Sequence, residues 1–295
     1  MERFLNNFPI GQIDIKNSYF PKALRNLAGM PEVLYYRGNI KILNEKCFAI
    51  VGTRKPTDYG KSVALSFSNG LAESGLTIVS GLALGIDSLA HQCAIDKNAL
   101  TIAVLGSGLD EPCFYPAENL KLAKQILEKN GCLVSEYPSG TKGALYTFPQ
   151  RNRIIAGLSL GALVVEAKIK SGALITASYA KQYKKPVFAI PNSIYTQTSK
   201  GCNFLIKNGA KLVESPNEIL EVLGLKQKIE TQDLFGTSQE KIIAEVLKNG
   251  PLHIDTIIEK TKMPSQAISG IICIMELENK IKNLGANTYA IINNS

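Results

Sequence analysis

Short apolar runs recur through the middle of the chain, each closed by small residues and followed by a helical pattern. The runs Phe48–Val51, Leu76–Val79, Thr101–Leu105, Cys132–Ser135, Ala162–Glu166, Val187–Ile190 and Lys211–Val213 predict strands. They are continuous rather than alternating, and several are β-branched, as in strands buried on both faces. Apolar spacing near 3.6 predicts helices over Tyr59–Glu73, Ile86–Ile95, Asn119–Lys129 and Asn152–Gly157. The same spacing predicts helices over Ala173–Tyr183, Asn203–Lys207 and Asn217–Leu223. This alternation of strand and helix predicts an α/β fold, a mainly parallel sheet with helices on both faces.

The pattern changes at both ends. Residues 1–45 form a lead-in, broken by Tyr19-Phe20-Pro21 and Met30-Pro31, that is expected to pack on the main domain. Ala23–Leu27 reads as a short helix and Leu34-Tyr35-Tyr36 as a short strand. The main domain spans 46–224. Residues 225–237 are polar with few apolar anchors and read as a linker. Residues 238–295 carry helical spacing at Ile242–Leu247, Ile254–Ile258 and Ala267–Leu277. Lys280–Lys282 and Tyr289–Ile292 then flank Gly285-Ala286-Asn287, a hairpin signal. Three helices and a hairpin predict a small winged-helix-like domain.

Charge sharpens this division. The chain has 33 Lys and Arg against 25 Asp and Glu, a net +8. From Ser238 onward six Lys meet six acids, so the excess belongs to residues 1–237. A positive balance favours anionic partners. The candidate recognition helix at Ser265–Glu278 has no Lys or Arg and carries two Glu, which favours protein contact over duplex reading. The six cysteines show no C-x-x-C pair, so no metal, cofactor or dithiol site is expected. Most sit in apolar runs, as reduced thiols of a cytoplasmic protein would. No stretch approaches the roughly 18 apolar residues of a membrane span, and MERFLNNF is no signal peptide.

Candidate chemistry gathers at the strand ends. In open α/β sheets ligands sit outside the carboxyl ends of the strands, and helix N-termini favour anions. Gly52-Thr53-Arg54 closes the first long run, with Arg54 a fixed fork for phosphate. Ser80, Gly81 and Gly85 close the second. Asp87 stands in the next helix, and His91 one turn on is read as a surface or packed histidine bonded to Asp87. With only His91 and His253 in the chain, a hydrolase triad is improbable. Gly106-Ser107-Gly108 starts like a dinucleotide fingerprint but lacks its third glycine. Phe148-Pro149-Gln150-Arg151-Asn152-Arg153 combines a ring for base stacking with guanidinium groups for phosphate, as single-stranded nucleic acid requires. One of the two arginines is expected to pair instead with Glu136 or Glu166. Lys170, Ser171 and Gly172, with Lys168, complete a series of anion-favouring turns several phosphates long.

The segments AIVGTRKPTDYG (49–60), VSGLALGIDSLAH (79–91) and TIAVLGSGLD with Tyr115-Pro116 occur in this order. They are followed by FPQRNRIIAGLS (148–159), VVEAKIKSGALITASYA (164–180) and GCNFLIKNGA (201–210). Together they resemble the DNA-processing protein A family (DprA, also called Smf), and the tail resembles the winged-helix domain many members carry. The resemblance implies an extended Rossmann-like fold that binds single-stranded DNA, forms homodimers and loads the RecA recombinase in natural transformation, with no established enzymatic activity. It also implies that Gly52, Thr53, Arg54, Ser80, Gly81, Gly85, Phe148, Arg151, Asn152, Arg153, Lys170, Ser171 and Gly172 line the DNA site. The sequence departs from the family at Ile190-Pro191-Asn192, where members have Pro-Gly. It departs again at Leu145, near a position where some carry a DNA-binding lysine; Lys142 is close by. The rival is a nucleoside-phosphate hydrolase on a related fold, but Ser171–Thr176 lacks the glycine-rich turn and glutamate expected of one. A third reading is a scaffold whose tail recruits a partner.

Overall fold

The alternation of inward and outward positions along the central strand divides the core in two. In this computed structural model, which describes residue 5, residues 7–225 and residues 237–291 except 249 and 279, that strand is Cys47–Val51. Cys47, Ala49 and Val51 face one layer of helices, while Phe48 and Ile50 face the other. All five are buried, as the apolar run requires. The contacts divide the chain into two units, residues 1–228 and 229–295. The expected linker falls, apart from its two end residues, outside the described residues.

The first unit begins with β1 (Gly11–Asp14), α1 (Lys22–Arg25) and β2 (Val33–Gly38). β3 (Cys47–Val51), α2 (Asp58–Glu73), β4 (Thr77–Ser80), α3 (Ile86–Asp96), β5 (Thr101–Leu105), α4 (Leu120–Glu128) and β6 (Cys132–Ser135) follow. Then come α5 (Thr147–Leu158), β7 (Ala162–Val164), α6 (Gly172–Gln182), β8 (Val187–Ala189), α7 (Lys200–Lys207), β9 (Lys211–Leu212) and α8 (Pro216–Val222). The sheet runs β1-β2-β6-β5-β4-β3-β7-β8-β9, parallel from β6 to β9, with β1 and β2 added antiparallel at one edge. Strand order reverses at β3, since β4 lies on one side of it and β7 on the other. That is the switch point where such sheets open a crevice.

The two faces close differently. Ile154 and Ile155 of α5 and Ala173 and Ala177 of α6 cover one face. Phe67 and Leu71 of α2 and Ile86 and Ala90 of α3 cover the other, where Phe48 meets Phe188 with ring centroids 5.9 Å apart. β1 escapes a reading by periodicity because only Ile13 of its four residues is buried. Its pairing with β2 comes from tertiary contact rather than from an apolar run. α5 also starts five residues before the expected Asn152, with Pro149 in its first turn. There a missing N–H breaks no helical bond, so proline is tolerated.

The second unit contains α9 (Ser238–Leu247), β10 (Leu252–His253), α10 (Ile254–Thr261), α11 (Ser265–Leu277), β11 (Ile281–Asn283) and β12 (Thr288–Ile291). Its sheet order is β10-β12-β11, so the hairpin gains a third, two-residue strand too short to show in the sequence. Ile243, Ile257, Ile268, Ile272, Met275 and Tyr289 form its core. The outer face of α11 leaves Ile274 and Leu277 exposed. Among the described residues no helix is long and apolar enough to cross a membrane.

Phe48→Ala should remove about 3–5 kcal/mol of stability by opening a cavity between the sheet and the α2–α3 layer. Urea unfolding of the two proteins measures it.

Candidate functional site

The turns after β3 and β4 interlock, and glycine makes this possible. Gly85 caps α3 with φ +83°, and a Cβ there would lie 2.7 Å from the Arg54 carbonyl carbon. Ile86 N donates to Thr53 O at 3.2 Å. A Cβ on Gly52 would meet Ile86 Cγ1 at 2.6 Å. Arg54 is thereby carried on a backbone held from below, while its own side chain is exposed. Ser80 behaves differently from expectation. Its hydroxyl is buried and donates to Ile50 O at 2.6 Å, so it joins β4 to β3 and does not line the cavity.

α5 carries the polar cluster, and each member does something distinct. Phe148 packs on Tyr115 with centroids 5.2 Å apart, and the Arg54 guanidinium lies 6.0 Å from its ring centroid. Gly106 underlies that ring, since a Cβ there would sit 2.8 Å from Phe148 Cδ1. Arg151 is only 5% exposed. It donates to Gly81 O at 2.6 Å and to Val104 O, joining the ends of β4 and β5. A Cβ on Gly81 would strike this guanidinium at 2.5–2.6 Å. Asp87 faces it and accepts from Gly81 N at 3.1 Å. Asn152 accepts from Arg151 Nε at 3.2 Å and donates to Gly172 O at 3.0 Å, tying α5 to the start of α6. Arg153 is 8% exposed and ion-paired with Glu136, one of the two carboxylates foreseen for it. Its charge is neutralised inside, and it stands outside the cavity.

The remaining candidates converge. A cavity of about 670 Å³ opens at the carboxyl edge of β3 and β7. Gly52, Thr53, Arg54, Phe148, Arg151, Asn152, Lys170, Ser171 and Gly172 all line it. Gly81 borders the smaller hollow beside it, together with Tyr115, Phe148 and Arg54. Ser171 is the N-cap of α6, yet its hydroxyl makes no capping bond and is buried without a hydrogen-bond partner. Arg54, Lys55, Lys168 and Lys170 are exposed, and none is ion-paired among the described residues. Lys55 was missed from the sequence although it adjoins Arg54. Thr198 was missed because it reaches the cavity from the distant β8–α7 loop. Leu145 also lines the cavity, whereas Lys142 is exposed but does not line it.

A buried carboxylate braces the far wall. Glu166 follows β7 and is fully buried. It accepts from Thr57 N at 2.9 Å, Thr57 Oγ1 at 2.6 Å, Asn192 Nδ2 at 3.2 Å and Thr198 Oγ1 at 3.3 Å. Gly60 is glycine because a Cβ there would overlap this carboxylate. The start of α2 and the β8–α7 loop are thus fastened to one side chain.

Burial governs the titration of the groups behind the cavity. It draws the Arg151 guanidinium down to about 10, opposed by Asp87. It raises the Asp87 carboxyl, opposed by Arg151 and by the hydrogen bond from Gly81. It pushes His91 down to about 3, with Arg151 adding to the effect. His91 does not bond Asp87 as its i+4 spacing suggests. Its Nδ1 pairs with Thr101 Oγ1 at 2.7 Å, because Asp87 is turned toward Gly81. His91 is a neutral core residue far from solvent.

Known proteins resemble the chain along most of its length. The family model for DNA recombination-mediator protein A matches residues 12–224, and that for the DprA winged helix domain matches residues 231–287. Protein Smf of Synechocystis is 47% identical over 70% of this chain and 52% of its own length. Protein Smf of Escherichia coli is 43% identical over 72% and 56%. The chain therefore spans little more than half of these two relatives. DNA processing protein DprA of Bacillus subtilis is 41% identical over 72% of this chain and 71% of its own. The crystal structure of DNA processing protein A from Streptococcus pneumoniae superposes with a TM-score of 0.67 at 41% identity, covering 74% of this chain and 75% of that one. A structure of DNA processing protein A from Helicobacter pylori, described by its single-stranded DNA binding mode, gives 0.66 at 33% identity, covering 75% and 97%.

Two stability measurements test these roles. Arg151→Ala leaves two strand-end carbonyls without their donor and the buried Asp87 without the opposing charge. It should cost about 3–5 kcal/mol in urea unfolding, whereas Arg54→Ala should stay within about 0.5 kcal/mol of the parent. His91 binds its proton less readily folded than unfolded, so its contribution is complete above the unfolded value of 6.5 and is lost as pH falls below it. Between pH 7.5 and 5.5 the parent should lose about 1.4 kcal/mol more than His91→Asn.

Proposed function

The chain belongs to the DNA recombination-mediator protein A family, and from that premise we propose that it binds single-stranded DNA along the cavity at its sheet's carboxyl edge. The observation that carries this reading is the convergence of four exposed cations, Arg54, Lys55, Lys168 and Lys170, around an aromatic pair, Phe148 and Tyr115. Cations contact phosphates whatever the sequence, and a ring stacks on any base, so recognition is sequence-tolerant and salt-sensitive. Thr53 offers its hydroxyl, and Gly172 the N–H at the start of α6, to phosphate oxygens, while Gly52 and Ser171 shape the wall between them. Asn152 orients the α6 end of the site. Arg151, Gly81 and Gly85 hold its floor in shape, and Ser80 and Arg153 act behind it.

The reading is of a binding protein rather than an enzyme. The carboxylate of Glu166 is occupied by internal donors and His91 is sealed in the core, which favours binding over acid–base chemistry. The protein acts in recombination or transformation, in the cytoplasm and as a homodimer, and it delivers the coated strand to the RecA recombinase. The winged-helix unit contacts protein rather than duplex. The last turns of α11 leave Ile274, Glu276 and Leu277 exposed and carry no Lys or Arg.

Fluorescence-anisotropy titration of oligo(dT) across salt tests the site. Arg54→Ala and Lys170→Ala should each weaken binding about tenfold and reduce the slope of log affinity against log salt by about 0.7. Unchanged affinity in both variants would sink the assignment, and equal affinity for duplex would sink the single-strand reading.

A further inference from the structure

Four side chains are the most exposed large apolar groups described in the first unit. They are Leu145 (94%), Tyr195 (90%), Ile194 (73%) and Tyr146 (71%). They form two adjacent pairs on two loops. Leu145 itself lines the cavity, at the end of the segment joining β6 to α5. Ile194 and Tyr195 stand in the segment joining β8 to α7, and Thr198 of that segment also lines the cavity. Three residues span at most about 11 Å, so Tyr195 lies within that distance of the cavity wall. β6 and β8 lie on opposite sides of β3 in the sheet, so the two loops come to the cavity from opposite flanks of the sheet, where Leu145 and Thr198 line it.

The second loop is braced. Tyr59 Oη donates to Pro191 O at 2.9 Å, and Asn203 Nδ2 donates to Asn192 O at 3.1 Å. Ser199 Oγ donates to Ser193 O and to Thr196 O. Ala167 N donates to Thr198 O at 2.7 Å, and Glu166 holds Asn192 and Thr198 from below. Ile194 and Tyr195 are therefore held outward on a fixed turn. Lys168 and Lys170, both exposed, line the same cavity from the turn after β7, the strand between β3 and β8. A protein surface or a second copy of the chain would favour one continuous apolar patch. Apolar faces separated by cations suit a polyanion that carries flat rings.

Resting on the single-strand reading above, we propose that Tyr146 and Tyr195 are base-stacking platforms on the two flanks of the cavity, with Leu145 and Ile194 as their apolar neighbours. The strand's phosphates lie on Arg54, Lys168 and Lys170, and the bases that run on from the cavity at either end stack on these rings. The extent of the site is then set by the rim as well as by the cavity.

The experiment uses the full chain and oligo(dT) of about 20 nucleotides, intact or with abasic positions, read by anisotropy across salt. Tyr146→Ala and Tyr195→Ala should each weaken binding of the intact strand about fivefold or more, with the salt slope unchanged. Tyr195→Phe should bind as the parent does. Abasic positions should weaken the parent more than the double alanine variant, in which only Phe148 and Tyr115 of the cavity remain to stack. If the parent binds but both alanine variants match it, the platforms are disproved and the single-strand reading stands. The platforms are equally disproved if Tyr195→Ala changes only the oligomeric state in sedimentation. Failure of the parent to bind would remove the single-strand reading and the platforms together.

Discussion

A guanidinium with almost no access to water holds the strand ends in place. Arg151 reaches from α5 under the sheet's edge to the carbonyls of Gly81 and Val104, with Asp87 opposite. A buried cation of this kind is tolerable only when its donors and its charge are both answered, and here both are. The arrangement fixes where α5 begins relative to β4 and β5. Phe148, one turn earlier on the same helix, is therefore set over Gly106 and beside Arg54. The ring beside the exposed Arg54 thus owes its place to a buried guanidinium on its own helix.

This separates two kinds of arginine, Arg54 on one side and Arg151 and Arg153 on the other, that look alike in the sequence. Arg54 sits on a turn with its side chain in solvent, while Arg151 and Arg153 are engaged by carbonyls and by Glu136. Only the first kind can exchange its water for a phosphate at low cost, because an exposed cation gives up little to do so. The lysines after β7 belong with Arg54. Their segment leaves β7 next to β3, so the reversal of strand order brings the two turns face to face.

Much of this architecture can be read from the chain. The parallel strands announce themselves because burial on both faces demands unbroken apolar runs. The strand-end placement of Gly52 to Arg54 and of Lys170 to Gly172 follows from where such runs stop. What the chain conceals is direction. Nothing local tells whether Ser80 turns to Ile50 or to a ligand, or whether His91 meets Asp87 or Thr101. Those choices are made by neighbouring strands far away in sequence. Thr198 was invisible for the same reason, and β1 and β10 were missed because edge pairing leaves little apolar signature.

The floor and the mouth of the cavity differ in how freely they can change. Beneath it, Gly60, Gly81 and Gly85 each leave room that a neighbour fills, with Glu166, Arg151 and the Arg54 backbone respectively. A methyl group at any of them would displace a buried charge or a main chain. Around the mouth, residues such as Leu145 and Tyr195 touch little of the protein itself. Lineages descending from this molecule can thus change the chemistry of the rim by single substitutions, while drift in the foundation is halted by the lack of space.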